Sequence, residues 1–180
     1  MTYIVTALKP EAQAFVDFYK LQKSKLGNYA TFTNENITLI ISGLGATNAR
    51  LATQTLINNF DITDDDIYLN IGICGASTRY EIAQLLEVGS IIYKDINYSF
   101  KDREEIVCLD TESSDNTHQI VDMESYGFYD AVIHSPAIKN FYIFKVVSDH
   151  FEPHKVTKDA TKSLIFNVIN DINSSINNQD

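Results

Sequence analysis

IYLNIGICGAS, residues 67–77, is the stretch whose reading decides the fold. Residues 67–71 are apolar or β-forming and too few for a helix, which predicts a buried strand. GICGAS, residues 72–77, predicts a tight turn in which Gly72 and Gly75 let backbone approach a neighbour or a ligand. A strand of this kind needs helices to cover it, and the flanking sequence supplies them.

Thr2 to Leu8 is a second short, apolar, β-rich run. Pro10 opens a helix, where its missing N–H costs nothing, and Ala12, Phe15, Val16 and Tyr19 follow at helical spacing. Gly27-Asn28 is a turn. Tyr29 to Thr33 and Ile37 to Ile41 predict two strands joined through Asn34-Glu35-Asn36. SGLGATNAR (42–50) is a glycine turn running into a helix with Ala49, Ala52 and Leu56 on one face. Asp61 to Asp66 reads as a solvated acidic loop. Ser90 to Ile96 predicts a strand, 97–119 is polar with a short strand at Ile106 to Leu109, and VDMESYGFYDA (121–131) begins a helix. Strand Phe141 to Val147 and a helix marked by Leu164, Ile165, Val168, Ile169 and Ile172 complete the pattern, with SSINNQD (174–180) as a frayed tail. Strands alternating with helices predict one α/β domain over residues 1–180. The expected architecture is a three-layer αβα fold with a mostly parallel or mixed central sheet. In such sheets ligands bind beyond the carboxyl ends of the strands. ALKPEA (7–12), SGLGA, NIGICGA and VVSDH (146–150) all sit there.

Composition narrows the function. The 180 residues carry a formal net charge of -10, which disfavours nucleic acid and anionic lipid as main partners but leaves small nucleotides open, because a local pocket can differ from the overall field. The chain shows neither a basic leader followed by an apolar run nor a long apolar stretch, so the expectation is a cytoplasmic protein off the membrane. Cys74 and Cys108 are too few for a disulfide framework and read as reduced, buried thiols.

Three acids stand at the ends of predicted elements: Glu11 at a helix start after the first strand, Glu124 in the first turn of its helix, and Asp149 at the end of an apolar strand. Each has a structural explanation, because helix starts favour acids and turns favour Asp. Asp149 is also placed where this architecture commonly keeps a functional acid. Gly43 and Gly45 present the same choice between a tight turn and a backbone cradle for an anion or a water. Met123 reads as core, as do Tyr126, Phe128 and Tyr129. His150 and His154 have metal-ligand spacing, but Pro153 between them opposes a regular helix and no third ligand is evident, so no metal is expected.

ALKPEA, SGLGATNA, NIGICGAS, LLEVGSIIY (85–93), VDMES (121–125) and VVSD occur here in the order seen in the purine nucleoside and uridine phosphorylase superfamily. The chain resembles most the methylthioadenosine/S-adenosylhomocysteine nucleosidases, over Met1 to about Ser174. The resemblance implies a nucleosidase that hydrolyses the N-glycosidic bond of an adenosine-type purine nucleoside, without a cofactor and with a homodimer as the family's expected assembly. It assigns water positioning to Glu11 and protonation of purine N7 to Asp149, preceded by Ser148. It assigns the ribose to Met123 and Glu124, the border of the water site to the SGLG glycines with Gly72 nearby, and a place near the water to Lys145.

The match also has departures. Asn70 stands where phosphorylases carry a phosphate-binding arginine, and Ile73 where a serine is common, which favours hydrolysis over phosphorolysis. Lys145 replaces an arginine and loses its planar fork. The segment from Lys94 to Val121 is shorter than in the nucleosidases, where it supplies an aromatic that stacks on the base. Tyr98, Phe100 or Phe151 are the candidates to replace it. Ile73 and the shortening motivate one alternative, a non-catalytic nucleoside-binding relative; a nucleoside phosphorylase and a truncated relative kept for assembly are the others.

Overall fold

The computed structural model describes residues 1–177. Its elements are β1 (Thr2–Thr6), α1 (Lys9–Tyr19), β2 (Gln22–Leu26), β3 (Tyr29–Thr33), β4 (Ile37–Ile41) and α2 (Ala46–Asn59). There follow β5 (Ile67–Ala76), β6 (Leu85–Tyr93), β7 (Ile96–Ser99), β8 (Glu104–Cys108), β9 (Ile120–Asp122), α3 (Ser125–Ile133), β10 (Asn140–Asp149) and α4 (Lys158–Asn177). The strands form one mixed sheet. β1 lies between β4 and β5 and is parallel to both, and β5 is also parallel to β10. β10 pairs with both β5 and β6, so β10, β6, β8, β9 and β5 close into a five-stranded ring at one end of the sheet.

The expected three layers are present. Alternation along each strand sends Tyr3, Val5 and Tyr68 to one face, where they meet Leu56 of α2 and Phe128 of α3. Ile4, Leu69 and Ile71 point to the other face, against Phe15 of α1 and Ile165 of α4. Helices α2 and α3 therefore cover one side, and α1 and α4 the other. No described helix is long and apolar enough to cross a membrane.

Several local expectations are corrected. The strand read as 67–71 runs on to Ala76, and GICGAS is strand rather than turn. Its glycines mark close approach, which is the other reason for glycine in a strand. A Cβ at Gly72 would meet Glu11 Oε1 at 2.9 Å, and one at Gly75 would meet Val121 Cγ2 at 3.3 Å. β2 escaped notice because QKSKL is polar and mostly exposed, as an outermost strand can be. The strand expected at Ser90 to Ile96 begins at Leu85 and turns at Lys94-Asp95 into β7. Asp66, expected in a solvated loop, is 4% exposed and accepts the N-terminal ammonium at 2.9 Å. Residues 174–177 of the expected frayed tail belong to α4, and 178–180 lie outside the described residues. Both cysteines are free and buried, as expected.

The contact between α2 and α3 depends on Gly127. A Cβ there would stand 1.8 Å from the Ala46 carbonyl oxygen, a backbone atom with nowhere to go. Gly127→Ala is expected to cost the upper end of an overpacking penalty, about 3 kcal/mol or more, measured by denaturant unfolding.

Candidate active site

The carboxyl ends of β1, β5 and β10 converge on a cleft of about 290 Å³. Glu11, Met123, Glu124, Ser148 and Asp149 all line it, although they come from distant parts of the chain. Gly45 and Gly72 lie immediately behind that lining, against Glu124 and Glu11, and Lys145 is enclosed beneath it. Gly43 donates its N–H to the Ala7 carbonyl at 3.2 Å and so ties the α2 turn to the end of β1.

Glu11 is both a cap and a cleft residue. Its Oε2 accepts the N–H groups of Ala7 at 3.0 Å and Leu8 at 2.8 Å, the reach-back that closes the first turn of α1. Its Oε1 accepts the Ile73 N–H at 3.0 Å. The apolar side chain of Ile73 thus borders the cleft while its main chain holds the acid. Burial pushes the Glu11 carboxyl above its ordinary range, against the pull of these N–H groups and of Lys145.

Glu124 makes no side-chain cap on α3. It occupies the N-cap position, but its carboxylate points away and accepts the Gly45 N–H at 2.8 Å. Gly45 itself has φ 96°, which requires glycine. The capping is done by Asp122, a residue the sequence reading passed over. Asp122 accepts the Ser125 N–H at 2.8 Å and the Ser125 hydroxyl at 2.6 Å. It also holds the Lys145 ammonium at 2.8 Å, with both side chains essentially enclosed. Burial lifts the Glu124 carboxyl up to about 7, with Lys145 opposing and Asp122 reinforcing the shift. Burial alone would lower Lys145, but Asp122, Glu124 and Glu11 hold its ammonium above the ordinary value.

Asp149 ends β10. Its Oδ1 accepts the Glu152 N–H at 2.8 Å and its Oδ2 lies 2.7 Å from the Ser148 hydroxyl, which is also 3.1 Å from the Cys74 carbonyl. Ser148 can therefore donate to an ionised Asp149, or donate to Cys74 and accept from a protonated one. Cys74 borders the cleft, but burial raises its thiol well above the ordinary value, so it stays neutral and is no nucleophile. His150 lies outside the cleft lining, with Nδ1 3.0 Å from the Ala76 carbonyl.

The far wall comes from Leu109, Thr111, Glu112 and Ser113 after β8, and from Val156 to Lys158 before and at the start of α4. None of the aromatic candidates reaches it. Tyr98 packs on Tyr126 and Tyr129, Phe100 on Tyr129 and Phe141, and Phe151 is buried outside the lining. Among the described residues no aromatic side chain lines the cleft.

No family model matches the sequence, and no curated protein matches it. Solved structures do match the fold. The Helicobacter pylori 5'-methylthioadenosine/S-adenosylhomocysteine nucleosidase superposes with a TM-score of 0.77 at 13% identity, covering 98% of this chain and 97% of that one. The fold is that of these nucleosidases. The Arabidopsis thaliana 5'-methylthioadenosine nucleosidase gives 0.72 at 17% identity, covering 96% and 95%. The futalosine hydrolase of Helicobacter pylori gives 0.77 at 13%, covering 98% and 97%. The nucleosidase-like architecture expected from the motif order is thereby borne out.

The raised Glu124 carboxyl has a stability consequence. Its folded value of about 7 exceeds the ordinary 4.5, so between those pH values the folded chain keeps a proton that the unfolded chain releases. The stability this contributes is complete below about pH 4.5 and is lost as pH rises through about 7, amounting to about 3 kcal/mol. Glu124→Gln is expected to gain stability relative to the parent by up to that amount between pH 5 and pH 8, followed by denaturant unfolding at each pH.

Proposed function

We propose that the chain is a nucleosidase that hydrolyses the N-glycosidic bond of an adenosine-type purine nucleoside. The observation that carries this reading is that Glu11, Glu124 and Asp149 line one cleft at the carboxyl ends of the strands. The nucleosidase fold supports it.

Each acid meets one demand of the reaction. Breaking the bond builds positive charge on the ribose, as in glycoside hydrolysis. Glu124, held by the Gly45 N–H through Oε1, keeps Oε2 for the 2′- and 3′-hydroxyls and places negative charge beside the developing cation. Met123 next to it packs on the sugar face. Glu11, fixed by three main-chain N–H groups, orients the attacking water and takes its proton. Asp149 delivers a proton to N7 of the leaving purine, and Ser148 serves it in either protonation state. Lys145, Gly45 and Gly72 hold this set from behind. Gly43 keeps the turn that carries Gly45 in place.

Hydrolysis fits better than phosphorolysis. Asn70 is 1% exposed and donates to the Val5 carbonyl, Ile73 offers an apolar side chain, and Lys158 is the one cation among the described lining residues. The absence of an aromatic from that lining favours one second reading, a relative that binds nucleosides without turnover. The reading further places the protein in the cytoplasm, in keeping with two unpaired buried thiols, and as a homodimer, with the exposed Leu44, which borders the cleft, and Leu51 of α2 as its apolar contact.

Purified chain incubated with methylthioadenosine, adenosylhomocysteine, adenosine and inosine is expected to release free base from an adenine nucleoside without phosphate. Base release that depends on phosphate would indicate a phosphorylase, and calorimetric binding without product the non-catalytic relative. Glu11→Gln and Asp149→Asn are expected to lower kcat/KM by roughly 10²–10⁴-fold. Glu124→Gln is expected to cost roughly 10²–10³-fold. The acid limb of the parent's kcat/KM profile is expected near pH 7, where Glu124 gives up its proton.

A further inference from the structure

Resting on the nucleosidase reading of the cleft, the geometry points to Asp122 as a further positioning residue. By taking the Lys145 ammonium and the cap of α3 onto its own carboxylate, Asp122 leaves the Glu124 carboxylate turned to the cleft and free of an ion pair.

Three observations carry this. First, Lys145 is buried beneath three carboxylates, and among the described residues Asp122 is the one within ion-pair distance, at 2.8 Å. Second, Asp122 is saturated: Oδ2 accepts Lys145 and the N–H groups of Ser125 and Glu124, at 2.8 and 3.2 Å, and Oδ1 accepts the Ser125 hydroxyl at 2.6 Å. Asp122 borders the cleft, but its side chain is fully enclosed, so its carboxylate does not reach a bound nucleoside. Third, Asp122 and Glu124 are two residues apart and diverge, one inward to Lys145 and one outward to Gly45 and the cleft. An ammonium not held by Asp122 would turn to Glu124 or Glu11 and occupy the oxygen the sugar needs.

The charges acting on Glu124 are Lys145 from β10, Asp122 from β9 and Glu11 from α1, with the Gly45 N–H at the start of α2. Lys145 favours ionised Glu124, and Asp122 and Glu11 oppose it. Removing the Asp122 charge leaves the pull of Lys145 undivided, so Glu124 should lose its proton at lower pH. Removing Lys145 should have the opposite effect, and removing both should give an intermediate value. Loss of a merely structural cap would lower the melting temperature without this ordering.

The test is a titration of Glu124 by carboxyl-¹³C NMR on the full chain, assigned by the resonance missing in Glu124→Gln. Asp122→Asn keeps an oxygen for the Ser125 N–H and is expected to lower the Glu124 midpoint by about one pH unit or more. Lys145→Met is expected to raise it, and the double variant to fall between the two. A midpoint in Asp122→Asn that stays put or rises would overturn the proposal. If Asp122→Asn does not fold, the double variant, which leaves no unpaired buried ion, decides: a midpoint no lower than that of Lys145→Met overturns it. The acid limb of kcat/KM should move in step with the titration. A shifted titration in a chain that releases no base would overturn the nucleosidase reading and leave the positioning role of Asp122 standing.

Discussion

The structure depends most on the place of one cation. Lys145 is carried into the interior by β10, opposite Gly72 of β5, where it meets carboxylates from β9, α1 and the start of α3. A buried ammonium with no partner would give up its proton, and a buried carboxylate with none would take one up. The strand pairing that brings β10 beside β5 is therefore also the electrostatic condition for keeping acids below the cleft floor. Gly72 belongs to the same constraint, because a side chain there would press on Glu11 Oε1 and lie 3.6 Å from Lys145 Nζ.

A division of labour follows among acids that look alike in sequence. A helix start needs acceptors for its free N–H groups, and an active site needs acceptors left over. At α1 one carboxylate serves both needs, because Glu11 has main-chain donors on both oxygens and still borders the cleft. At α3 the needs are split, with Asp122 spent on the helix and on Lys145 while Glu124 reaches across to Gly45. The choice between cap and function posed for Glu124 thus has a physical answer: its neighbour caps.

Much of this was legible in the sequence, and the failures share a cause. Tyr29–Thr33 and Ile37–Ile41 emerge with the expected bounds because turn residues and β-formers mark them locally. The convergence of residues 11, 124 and 149 was legible through motif order and strand ends, not through any local pattern. What failed required knowledge of a distant partner. Gly72 and Gly75 looked like a turn because Glu11 and Val121, which need the space, lie far away in sequence. Asp66 looked solvated because its partner is the N-terminus. Asp122 was passed over because Lys145 alone reveals it, although the first acid of VDMES, three residues before the Ser125 N–H it caps, was a usable signal.

The two sides of the cleft are built from different parts of the fold. The side that carries Glu11, Glu124 and Asp149 is built on strand ends, on helix starts and on the charge cluster around Lys145. The opposite wall is loop, with Thr111, Glu112 and Ser113 offering polar atoms and Leu109 and Val156 apolar ones. The aromatic side chains at the end of β6 and just after β7 are spent on α3, where Tyr93 stacks on Tyr126 at 4.1 Å and Phe100 on Tyr129 at 4.9 Å. These rings pack on α3 and leave none for the cleft lining among the described residues. A base bound here would be gripped by hydrogen bonds and aliphatic contact rather than by stacking, so selectivity would come from the pattern of donors and acceptors on its edge.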